Sequence, residues 1–167
     1  MGFFRLCLGF AALLATCGVC AQAGDYPARP IKILVSFTPG SGSDTQARLY
    51  GDLLQKELGQ PVIVENRPGA NGVIGLQALK QAPADGYTLA MGGAFLVVNP
   101  VVLKEVPYEP KDFRPIAAIS MGPMGLLVGA DSPLKTVDDL LAASKSELGL
   151  SIGTYTATYR LGAAWLS

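Results

Sequence analysis

The chain has 167 residues, with 13 basic and 13 acidic side chains and no formal net charge, and half of its residues are hydrophobic. Balanced charge without a basic tract gives no electrostatic footprint for nucleic acid, and the apolar content is that of a packed globular chain rather than a disordered one. Histidine is absent, which removes the usual general base near neutral pH and the commonest metal ligand.

In chain order, the first 23 residues read as an export signal. Arg5 is the charged n-region, Leu6 through Leu14 and on to Cys20 the apolar h-region, and Ala21-Gln22-Ala23 an A-x-A cleavage site. Gly9, Thr16 and Gly18 interrupt the apolar run, which is short for a spanning helix. Two rival readings are a retained membrane anchor and a lipoprotein anchored at Cys17. The second rests on Leu14-Ala15-Thr16-Cys17, where Thr fits poorly just before the Cys. All three cysteines (Cys7, Cys17, Cys20) fall inside this segment. A chain processed after Ala23 needs no disulfide, which suits the periplasm.

Gly24 to Pro30 is an extended lead-in, because Pro27 and Pro30 disfavour a helix. Ile31-Lys-Ile-Leu-Val-Ser-Phe37 is a first strand that ends in the loop Thr38-Pro-Gly-Ser-Gly-Ser-Asp44. Ala47, Tyr50, Leu54 and Leu58 then recur at helical spacing, with Asp44 suited to the N-cap and Gly59 to the residue past the last turn. Pro61 to Glu65 is a second strand and Asn66 to Ala70 a turn. Asn71 is placed to cap a helix carrying Val73, Leu76 and Leu79. After the turn Pro83 to Gly86, Tyr87 to Met91 is a third strand running into Gly92-Gly93-Ala94. This alternation predicts right-handed crossovers and a parallel sheet. Asn99 to Pro110 is irregular with room for one short helix, and Phe113 to Ala130 reads as two strands with a kink at Gly122 to Gly125. Thr136-Val-Asp-Asp139 is a capping box with Asp in place of Glu, opening a helix to about Lys145. Leu148 to Ile152 is a strand, Gly153 to Thr158 a second polar loop, and Tyr159 to Trp165 the start of a further helix. That helix stops in mid-pattern at Ser167, so the chain is expected to be a truncated or incomplete one.

The first loop brings glycines and hydroxyls to a helix N-terminus, where free amides and the helix dipole favour an anion. It lacks the third glycine of G-x-G-x-x-G and the Gly-Lys-Ser/Thr of a P-loop, and no serine stands in a G-x-S-x-G elbow. An ordinary turn between strand and helix is the plain alternative. The carboxylates are scattered, with no pair preset for acid–base work or metal ligation, so neither a catalytic constellation nor a metal or cofactor is expected. Arg48 is placed either to balance an anion in the cleft or to pair with an Asp. Tyr155 and Tyr159 either wall a pocket or pack.

Several strings resemble the Bug family, the solute-binding proteins of tripartite tricarboxylate transporters. These are Tyr26-Pro-Ala-Arg-Pro-Ile-Lys-Ile-Leu-Val35, Phe37 to Asp44 with Ala47-Arg48, and Leu58-Gly-Gln-Pro-Val-Ile-Val-Glu-Asn-Arg-Pro-Gly-Ala-Asn-Gly-Val-Ile-Gly75. Asp85-Gly-Tyr-Thr-Leu89, Asn99-Pro100, Pro107 to Phe113 and Lys135-Thr136 continue the match. The resemblance implies an α/β fold of the type II periplasmic-binding kind, with two lobes that close on a small carboxylate by a hinge motion. By position it implies a ligand site from Phe37, Thr38, Pro39, Gly40, Ser41, Gly42, Ser43 and Asp44. Gly92, Gly93 and Ala94 follow the third strand, and the opposing lobe adds Gly153, Thr154, Tyr155, Thr156 and Thr158. Many members read Pro-Gly-Gly where this chain reads Pro39-Gly40-Ser41, and Ser41 is strained there if that position takes positive φ. Tyr155 stands where a glycine is common and narrows the pocket.

The expected organisation is a signal over 1–23, a first lobe over 24–122 and the start of a second over 123–167. The crossover lies near Ser120 to Gly125. The expected function is capture of a small organic anion in the periplasm for membrane permease subunits, without catalysis and without a membrane span after signal removal. The alternatives are a ligand-sensing partner of a signalling receptor and a non-functional fragment.

Overall fold

A computed structural model describes residues 26–145 and 150–164. The export signal, part of the Leu148 to Ile152 strand and Trp165 therefore lie outside the described residues. Three strands, β1 (Ile31–Val35), β2 (Val62–Asn66) and β3 (Thr88–Met91), form one sheet in the order β2-β1-β3. Both pairings are parallel, with Ile33 opposite Val64 on one side and Leu89 on the other. The parallel α/β architecture expected of the first lobe is the one observed.

Helices α1 (Gly42–Leu58) and α2 (Val73–Gln81) make the two crossovers. Alternation along β1 assigns its side chains to two layers. Ile33 and Val35 pack on Ala47 and Leu54 of α1, together with Val62, Val64, Leu89 and Met91. Leu34 and Ser36 therefore face the opposite layer, that of α2. There Leu76, Phe95 and Tyr108 form a second core with Phe37, Val73 and Phe113 around them. Phe95 belongs to α3 (Phe95–Val102), where the sequence leaves an irregular stretch with one short helix.

Three elements differ from the sequence reading. Ser41, not Asp44, is the N-cap of α1 and its Oγ accepts the Asp44 amide, because the helix begins at Gly42. Ser41 has φ −68°, and it is Gly40 that takes φ +80°, so serine is unstrained at its position. Among the described residues, Phe113 to Ala130 contains no strand. A strand is a ladder of hydrogen bonds, and no described segment lies alongside these residues to complete one. α1 tethers the middle of this segment through Tyr50 Oη, which donates to the Ile119 carbonyl (3.1 Å), and through Ser120 Oγ and Gln46 Oε1 (3.3 Å). The segment leads to α4 (Val137–Ser144), opened by the expected capping box of Thr136 and Asp139, and to α5 (Ala157–Ala164), which packs on α3. Leu150 to Ile152, the described part of the strand expected over Leu148 to Ile152, has no regular structure.

Candidate ligand-binding cleft

At the carboxyl ends of β1 and β2 two loops meet. The loop after β1 is locked by Asp44, which is 3% exposed. Arg48 donates Nε to Oδ2 (3.1 Å) and Nη2 to Oδ1 (3.0 Å) of this carboxylate. The Gly40 amide donates to Oδ2 (2.8 Å), and Asn66 Nδ2 donates to Oδ1 (3.0 Å). Asn66 Nδ2 also donates to the Phe37 carbonyl (3.0 Å), tying the end of β2 to the first loop. These donors, the Arg48 guanidinium first, hold the Asp44 carboxyl at a pKa of about 2. The amino end of α1 thus carries its own ion pair, in which Arg48 is bound to Asp44.

The loop after β2 has an unusual backbone. Gly69, Ala70, Asn71 and Gly72 all have positive φ, at 128°, 48°, 56° and 89°. Two of these are not glycine, and such conformations persist only where surroundings hold them. Asn99 of α3, fully buried, provides that hold by donating Nδ2 to the Asn71 carbonyl (2.9 Å). The turn ends in α2, whose N-cap is Gly72 with no side-chain cap; Asn71, expected as the cap, lies one residue earlier in the turn.

Between the two loops lies a cleft of about 190 Å³ lined by Ser36, Phe37 and Thr38 on one side, Pro68, Gly69, Asn71 and Gly72 on another, and Tyr155. The Tyr155 ring lies tilted over Phe37 with centroids 5.8 Å apart, and Phe37 in turn meets Phe95 edge to face at 5.1 Å. Every lining side chain is uncharged. Of the expected site residues, the cleft collects Phe37, Thr38 and Tyr155. Pro39 to Asp44 serve the loop and the start of α1, and Gly92 to Ala94 are exposed residues leading into α3. Gly153, Thr154, Thr156 and Thr158 lie outside the lining, with Thr154 on a separate apolar groove between α3 and α5 and the Thr156 carbonyl accepting the Arg160 amide at the start of α5. The cleft also takes in Ser36, Pro68, Gly69, Asn71 and Gly72, which the sequence reading does not name. A polar residue ending a buried strand was a signal for Ser36, and the glycine spacing of Gly69 and Gly72 a signal for the second loop.

Among the described residues no cluster of His, Cys, Asp or Glu is placed to hold a metal, and no helix is long and apolar enough to cross a membrane.

Residues 46–163 match the family described as the tripartite tricarboxylate transporter family receptor, TctC. A UPF0065 protein of Bordetella bronchiseptica is 43% identical over 148 residues, covering 87% of this chain and 44% of that protein. Protein BugT of Bordetella pertussis is 38% identical over 154 residues, covering 89% of this chain and 47% of that one. A solved structure described as R. palustris Rpa4515 with adipate superposes with a TM-score of 0.67 at 33% identity, covering 72% of this chain and 41% of that chain. The chain spans less than half the length of these relatives. With more than half of its residues inside the family match, and with the parallel sheet and loop-end cleft described above, the chain belongs to the tripartite tricarboxylate transporter receptor family, TctC.

Proposed function

We propose that this chain is part of an exported solute-binding protein that captures a small organic anion, a carboxylate, and delivers it to membrane permease subunits of a tripartite tricarboxylate-type transporter. The carrying observation is the cleft at the carboxyl ends of β1 and β2, where ligands sit in open α/β sheets. Family membership supports the transport role, and the adipate in the Rpa4515 structure supports a carboxylate. In this reading residues 1–23 are removed on export to the periplasm, 24–122 form the first lobe and 123–167 begin a second. Tyr155, carried on the segment before α5, reaches the first lobe at Phe37. Closure of the lobes then brings an aromatic wall over the ligand, a hinge motion that exchanges open for closed populations. Binding and release are the whole of the task, with no bond made or broken.

The test is thermal unfolding of the full chain against di- and tricarboxylates, amino acids and aromatic acids. A ligand that binds only the folded state raises the midpoint with dose, adding about 2.7 kcal/mol of stability at one hundred times Kd. A dose-dependent rise with one acid class is the expected result. A cooperative transition that no acid moves sinks the proposal.

A further inference from the structure

A row of aromatic rings runs from the core into the cleft. Phe95 of α3 is buried and meets Phe37 edge to face, and Phe37 in turn carries the tilted ring of Tyr155. Tyr155 ends the row and is 67% exposed. The next two residues, Thr156 and Ala157, are buried at the start of α5, which packs on α3. The chain beside Tyr155 is thus anchored, while most of its ring is left to water. Exposed aromatic surface inside a cleft is surface that a ligand can cover.

The rest of the lining narrows what that ligand is. No lining side chain is charged, so each carboxylate beyond the first would give up water without meeting a cation. Apart from buried Ser36, the polar side chains of the lining are those of Thr38, which is exposed, and Asn71, which is half-buried. Their backbone carbonyls are already taken, by the Ser41 amide and by Asn99, so the hydroxyl and the carboxamide are the groups left to donate to a single carboxylate. The cleft volume of about 190 Å³ exceeds the roughly 150 Å³ that holds a benzene, which leaves room for one six-membered ring and its carboxylate.

We infer that Tyr155 is a specificity-determining residue of the cleft and that, with Phe37, it selects an acid with one aromatic ring and one carboxylate. The inference rests on the carboxylate-capture reading above and names its ligand class. Aromatic rings attract one another in offset and edge-on arrangements beyond the area they bury, so a flat ligand gains from Tyr155 what an aliphatic chain of equal area does not.

The experiment is calorimetric titration of the full chain, as wild type, Tyr155→Phe and Tyr155→Leu, with benzoate, hexanoate, adipate and citrate. Benzoate is expected to bind tightest of the four, and equally to wild type and Tyr155→Phe. Tyr155→Leu keeps apolar area and loses the ring. It should weaken benzoate about tenfold and leave hexanoate within about twofold of wild type. Benzoate bound equally by wild type and Tyr155→Leu overturns the role of Tyr155, and adipate or citrate as the tightest ligand overturns the ring selection; both results leave carboxylate capture standing. A wild type that binds none of the four, while another acid raises its melting midpoint, overturns the ligand class alone. If no acid moves the midpoint, the capture reading falls with it. Should Tyr155→Leu fail to fold, Tyr155→Met, apolar and adaptable in packing, carries the same comparison.

Discussion

Asp44 decides the chemistry of the first loop. Its carboxyl sits at about 2 in the folded chain against 3.8 for an ordinary Asp. Between those values the unfolded chain binds more protons, so the stability Asp44 contributes is fully present above about pH 4 and is lost as pH falls through 2. Asp44→Asn should therefore flatten the fall in melting temperature between pH 4 and pH 2. Melts of both proteins across that window check it, and parallel curves would place the acid sensitivity elsewhere. Asn66 ties the same loop from the other side, donating to Phe37 and Asp44 while its Oδ1 accepts from Arg48 (3.3 Å). Asn66→Ala should cost about 1–3 kcal/mol, read by urea unfolding, because it strands a half-buried carbonyl and a buried carboxylate. The Asn in Glu65-Asn66-Arg67 is visible in the sequence, but a side chain that binds residues 22 and 29 positions away cannot be assigned partners from spacing.

Local rules place most helices and strands, although Ser41 and Gly72 rather than Asp44 and Asn71 are the N-caps of α1 and α2, and some caps follow those rules directly. The Thr136 capping box is one such case: Thr136 Oγ1 accepts the Asp139 amide (3.1 Å), and Asp139 accepts the amides of Lys135 and Thr136 (both 2.9 Å). Thr136→Ala should lower stability by about 1 kcal/mol in thermal unfolding. The contact between α2 and β1 obeys no such pattern. An alanine at Gly75 would place Cβ 2.3 Å from Ser36 Oγ and 3.0 Å from Ser36 Cα. Gly75→Ala should destabilise by about 1–3 kcal/mol, as overpacking does. Adding Ser36→Ala should recover part of that loss and not all, since the clash with the Ser36 backbone stays; chemical denaturation of the four proteins in the cycle measures the coupling. Full recovery would mean that the backbone contact relaxes freely. The two strands expected between Phe113 and Ala130 failed for the converse reason: apolar content supports a strand only where a partner strand is present.

Over the whole molecule, apolar side chains cluster on one exposed stretch. Met121 is 99% and Leu127 91% exposed, with Ile116 at 79%. Exposed apolar side chains along one segment favour association. Sedimentation velocity should show concentration-dependent self-association of the chain, reduced by Met121→Ser with Leu127→Ser. Neither residue lines the cleft, so the double variant should keep the ligand-induced melting shift of the parent. A chain that stays monomeric at every concentration would show that this surface is tolerated in water.

The sequence by itself determined the alternation of strand and helix, the parallel sheet, the caps at Thr136 and Gly59, and the family. Those follow from interactions within a few residues, or from strings such as Glu65-Asn-Arg-Pro-Gly-Ala70 that stand intact in the chain. Only the tertiary structure decided which polar groups share the cleft. Loop composition points to the start of α1 as an anion seat; folding places the Asp44–Arg48 pair there. Folding buries Ser36 Oγ against Gly75 of α2, without a partner among the described residues. A charge finds its partner through space, and Ser36, Asn71 and Tyr155 become neighbours only when β1, the turn before α2 and the segment before α5 are packed together.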